Sequence, residues 1–137
     1  MSGGVLLLIV IAFGLGPMAG QLNHFKHYAR ETLPYAIKRY EDEVNRLYGV
    51  MNLRLRNREF LAGKYSIADM AIFPWLRSWQ NQGIDWADYP HLKAWFDTIA
   101  ARPAVQKAVQ VLADARKPLV DDKARHHLFG AGQLHKR

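Results

Sequence analysis

"GKYSIADMAIFPW", residues 63–75, sets one serine and one aspartate, three positions apart, ahead of a run with almost no other polar group. Ser66 is a favoured residue at the position before a helix, because its hydroxyl accepts from a free N–H of the first turn. Asp69 then falls at the third helical position, where its carboxylate reaches back to the N–H of Ser66 and suits the positive end of the helix dipole. Reciprocal capping matters most at a helix end that water does not reach. The residues that follow, Ile67, Ala68, Met70, Ala71, Ile72 and Phe73, are apolar nearly all round, the pattern of a central buried helix. The stretch therefore predicts a helix that starts inside the protein.

Helical spacing extends in both directions. Upstream, Ile37, Tyr40, Val44, Leu47, Tyr48, Met51 and Leu55 recur every three or four residues between Pro34 and about Arg58. That spacing makes one apolar face, with Lys38, Glu41, Asp42, Asn45 and Arg56 opposite and Pro34 tolerated in the first turn. Gly63 breaks the chain before the capping pair. Downstream, Pro90 opens a helix with Leu92, Trp95, Phe96 and Ile99 on one side. Pro103 ends it and starts another through Val105, Val109 and Leu112. Trp75, Trp79, Trp86 and Trp95 read as core and inter-helix packing rather than a ligand cage. No strand pattern, repeat or Gly-rich phosphate loop interrupts this. The fold class is all-α, a helical bundle.

The two ends differ from the middle. Residues 5–13, "VLLLIVIAF", are too few to span a bilayer, which takes roughly 20 residues. No basic residue precedes them as in a signal peptide, so a buried helical segment is the plain reading, with a signal or anchor as the alternative. Gly14, Gly16 and Pro17 are expected to end that helix. Beyond Arg116 the pattern dissolves into a basic tail. The organisation expected is thus an apolar segment over 1–13, a helical domain over 14–115 and a flexible tail over 116–137.

Charge and composition exclude several classes of function. The net charge is +7, of which the last 22 residues, with six basic and two acidic side chains, supply +4. On the folded part Glu41, Asp42 and Glu43 alternate with Lys38, Arg39 and Arg46, a solvated face and not a nucleic-acid patch. With no cysteine there is no disulfide, protein thiolate or cysteine metal site. His24 with His27, and His126 with His127, lack a third ligand of suitable spacing, so no metal is expected.

"YSIADMAIFPWL" followed by "YPHLKAWFDTIAARPAV" resembles the C-terminal helical domain of glutathione transferases. "GLGPMAGQLNHFKHYA" and "LPYAIKRYEDEVNRLYGVMNLRL" are similar to the nu-class branch, which includes glutathione-dependent disulfide-bond oxidoreductases. The resemblance runs from about Gly14 to Ala108 and implies that Ser66 and Asp69 serve folding, not catalysis. It implies that Arg39 contacts a carboxylate of glutathione, a role suited to a planar guanidinium. Read alone, Arg39 is a solvated helix arginine among acidic neighbours. The resemblance also places Gln21, Asn23, His24 and Phe25 at the active-site mouth, where amides bond peptide groups and an aromatic shapes the pocket. Read alone, they are a capped turn with one core aromatic. Asn23 stands where the family often has a first of two histidines, which puts that imidazole's role in doubt.

Family members begin with a thioredoxin-like domain that holds most of the glutathione. No strand-rich segment precedes the helices here, so a truncated form with only a partial glutathione site, no catalytic residue of its own and no activity alone is expected. Glutathione is the implied co-substrate. The implied partners are a second copy of the chain or a thioredoxin-like domain, and the implied location is the cytoplasm. The alternative is a non-enzymatic helical interaction module that pairs with itself or a full-length paralogue.

Overall fold

In a computed structural model, the structure describes residues 3–111, 113 and 121–130, with residues 3–12 described by backbone alone. Six α-helices and no strand occur among these residues. The helices are α1 (Gly3–Asn23), α2 (Pro34–Leu55), α3 (Ile67–Leu76), α4 (Pro90–Ala100), α5 (Pro103–Gln110) and α6 (Asp122–Phe129). A π-helical turn, His24–Tyr28, follows α1, and a 3-10 turn, Trp86–Asp88, precedes α4.

The chain divides into two compact units, Met1–Arg102 and Pro103–Arg137. In the first, α1 packs on α2 and α3, and α4 packs on α2 and α3. Leu15, Ala19 and Leu22 of α1 meet a core of Val44, Leu47, Tyr48, Met51, Ile72, Leu76, Leu92, Trp95 and Ile99. In the second, α5 begins at Pro103, and the Asp121 side chain caps α6 by accepting from the Ala124 amide. Residues 122–129 of the segment expected to be a flexible tail are therefore helical. The rest of that tail lies outside the described residues except for Asp121 and Gly130.

Three expectations are corrected. The first is the helix break at Gly14–Pro17, because α1 continues through all three residues. The two glycines are contact points. A Cβ on Gly14 would stand 3.3 Å from Leu47, and one on Gly16 would stand 3.2 Å from the Trp75 ring. Close packing of α1 on α2 and α3 outweighs the propensity cost of glycine, about 1 kcal/mol each. Pro17 and Phe13, the residue whose carbonyl loses its donor, both lie on the exposed side of α1.

The second correction concerns α3. Ala68, Asp69, Ile72, Phe73 and Leu76 are buried, but Ile67 is 68% and Met70 52% exposed, with Ala71 and Pro74 also open. The helix starts inside the protein, yet one apolar face of it is uncovered. The third concerns Trp75, which is 44% exposed. It packs on Gly16 of α1, whereas Trp95 is buried and Trp79 and Trp86 meet at 5.6 Å with their rings tilted by 51°.

Candidate functional site

The residues singled out in the sequence fall at two places, a capping centre and the junction of α1 with α2. At the first, the Ser66 hydroxyl accepts from the Ala68 amide at 3.2 Å, and Asp69 Oδ2 accepts from the Ser66 amide at 2.9 Å. Asp69 does more than close this box. Its Oδ1 accepts from the Leu61 amide at 3.1 Å and from the Trp95 indole N–H at 2.8 Å. One fully buried carboxylate thus joins the loop before α3, the start of α3 and the middle of α4. These are structural bonds, made by a carboxylate that water does not reach.

At the second place, α1 ends in the π-helical turn, closed by the Ala29 amide donating to the His24 carbonyl at 2.8 Å. No residue of the turn is buried. Phe25 stacks flat on Tyr40 of α2, with ring centroids 5.6 Å apart and planes 12° apart, and His24 meets Phe25 edge-on. Tyr40 adjoins Arg39, so the turn lies along the part of α2 that carries this arginine. The Arg39 side chain is exposed and makes no hydrogen bond or ion pair among the described residues. Its neighbour Glu43 is committed elsewhere, to a bidentate pair with Arg46 at 2.7 and 2.8 Å. The Arg46 hydrogen bond holds the Glu43 carboxyl below its ordinary value, partial burial opposes this, and the charges of Arg46 and Arg39 add to it.

Asn23 faces a different opening. With Ala19, Gly20, Trp75, Ser78, Asn81 and Gln82 it lines a cleft of about 120 Å³ between the end of α1 and the turn after α3. The floor is held by a buried relay. Tyr48 donates to Gln82 Oε1 at 2.7 Å, and Gln82 Nε2 donates to the Trp75 carbonyl at 2.8 Å. Burial, and then the neighbouring Tyr89, push the Tyr48 phenol well above its ordinary value, so it stays a donor. Gln21 is exposed on the last turn of α1.

Phe25 is thus packed on Tyr40 of α2, Arg39 is exposed one position earlier on the same helix, Asn23 opens on a cleft, and Gln21 stands at the surface. Sequence reasoning missed Lys26, which ties the turn to the rest of the unit, and the Tyr48–Gln82 relay. Nothing in residue spacing marks either one. Among the described residues no three His, Asp or Glu side chains gather in a metal-like group, and no helix is long and apolar enough to cross a membrane.

Residues 18–103 match the family described as "Glutathione S-transferase, C-terminal domain". The chain is 53% identical over 97 residues to the "Disulfide-bond oxidoreductase YfcG" of Escherichia coli (strain K12), covering 70% of this chain and 45% of that protein. A glutathione transferase homologue from Lodderomyces elongisporus, solved with two glutathione molecules per subunit, superimposes with a TM-score of 0.74 at 35% identity. That match covers 79% of this chain and 52% of the homologue. The URE2P6 transferase of Phanerochaete chrysosporium, solved with oxidised glutathione, gives 0.75 at 30% identity, covering 82% and 54%. The chain spans about half the length of the curated relatives it matches.

Proposed function

Because the chain belongs to the glutathione S-transferase family through its C-terminal domain, we propose that it carries the helical share of a glutathione site in a nu-class-like disulfide-bond oxidoreductase. The observation that carries this reading is the exposed Arg39 guanidinium on α2, next in sequence to the Tyr40 that stacks on Phe25. A guanidinium with no ion pair among the described residues is available for a bidentate pair with a ligand carboxylate. On this proposal the aromatic pair takes the body of a small peptide, and Asn23 borders the neighbouring cleft. In this reading glutathione brings the thiol, so the absence of cysteine is no obstacle. The thioredoxin-like domain brings the groups that hold the peptide and lower the thiol's pKa. The uncovered face of α3, with Ile67, Met70, Ala71 and Pro74, is an apolar surface of the kind such a domain covers.

The helical share alone binds weakly. One charge-assisted hydrogen bond contributes about 1.5–3 kcal/mol, less than the cost of immobilising a flexible tripeptide. Calorimetry on the 137-residue chain is expected to give a glutathione dissociation constant of about 1 mM or weaker, with no disulfide reduction or conjugation. Micromolar affinity would contradict this division of the site.

A further inference from the structure

We propose that Lys26 is a positioning residue: its ammonium latches the π-helical turn to α2 and to the turn after α3, and so fixes Asn23, His24 and Phe25. The latch is defined by geometry alone, while the purpose of the fixed turn rests on the glutathione reading above.

Lys26 Nζ lies 2.5 Å from Glu41 Oε1 on α2 and donates to the Asn81 carbonyl at 3.3 Å. Three separate segments therefore meet at one ammonium. The pair is partly shielded, with the lysine side chain 20% and the glutamate 31% exposed, less open than the Lys38–Asp42 pair of the same helix. Shielding makes a charge-assisted bond worth more than a surface pair. Gly83, at φ +74°, bends the turn after α3 in toward the pair. A Cβ there would stand in van der Waals contact, 3.5 Å from Lys26 Nζ and 3.6 Å from Glu41 Oε1, so this left-handed turn runs alongside the pair.

The π-helical turn needs such a fixture. Its five-residue bond closes a wider ring than an α-helical one, a geometry that persists only where the surroundings hold it. Asn23 and Asn81 also both line the cleft beside Trp75. Lys26 follows Asn23 by three residues and holds the Asn81 backbone, so the same latch ties two residues that line that cleft.

Amide hydrogen exchange and ring-proton shifts, read by NMR on the full chain, test the latch. Lys26→Met keeps the stem and removes the charge. Exchange at the Ala29 amide should speed up about tenfold, the response to losing a charged hydrogen bond. The Tyr40 ring protons should move toward unstacked values as the flat contact with Phe25 loosens, while amides of α4 keep their protection. Lys26→Arg should restore both signals. Glu41→Gln should reproduce the loss, and combining it with Lys26→Met should add little. Unchanged Ala29 exchange and Tyr40 shifts in Lys26→Met would overturn the proposal, as would a loss of protection spread evenly over α1 to α4. Glutathione titrated into the chain joined to a thioredoxin-like domain separates the two readings. No effect of Arg39→Ala on binding there would remove the glutathione site and leave the latch standing.

Discussion

Asp69 shows how much one side chain can organise. Its two oxygens take three N–H donors from three segments, and a carboxylate accepts that many without strain. Ser66→Ala should cost about 1 kcal/mol, the ordinary loss of a helix cap. Asp69→Ala should cost about 3–4 kcal/mol, because three donors lose their acceptor at ~1 kcal/mol or more each. The double variant should lose less than the sum, since the two side chains act on one another. Urea denaturation of the four proteins measures this, and equal small losses would mean the box is idle. Tyr48 acts at the same scale. Its phenol is raised by burial, so the folded state favours the neutral form. The stability this gives is complete below the unfolded tyrosine value near ~10 and is lost as pH rises beyond it. Stability should therefore fall above about pH 10, and Tyr48→Phe should flatten that fall. The same change should cost about 1–2 kcal/mol at neutral pH, because Gln82 Oε1 loses its donor.

The elements themselves were legible where periodicity and punctuation agree. Pro34, Pro90 and Pro103 each open the helix expected of them, and Gly63, at φ +95°, turns the chain before α3. The path of α1 was not legible, because helix-breaking residues report local preference while the contacts of Gly14 with Leu47 and Gly16 with Trp75 lie far away in sequence. The half-open state of α3 was hidden for a related reason. Composition shows that a surface is apolar, not what covers it. Of the candidate site, residue types suggested a peptide-binding turn, but its π geometry and its tie through Lys26 depend on partners 15 and 55 positions away. Capping across elements escapes the sequence in the same way. The residue before α4, Tyr89, gives no side-chain cap, and Asn52 of α2 accepts instead from the His91 and Leu92 amides at 2.9 and 3.0 Å. Asn52→Ala should destabilise the domain by about 1–2 kcal/mol. Hydrogen exchange should rise first at the start of α4. Unchanged exchange there would show that water replaces the side chain at no cost.

At the scale of the molecule, the first compact unit has a closed core and an open apolar face, and the chain matches about half of each relative. Both features fit a unit that contributes part of a site. The central claim is that Arg39 and the π-helical turn form the helical share of that site, and it predicts a specific asymmetry between neighbours. Lys38 and Arg39 are adjacent, exposed and equally charged, but Lys38 is paired with Asp42 while Arg39 is open. The deciding measurement joins the thioredoxin-like domain of a relative ahead of residue 14 and titrates glutathione into this protein, its Arg39→Ala variant and its Lys38→Ala variant. Arg39→Ala should weaken binding about tenfold or more, and Lys38→Ala by no more than about twofold. Equal effects of the two changes, or none from Arg39→Ala, would contradict the account.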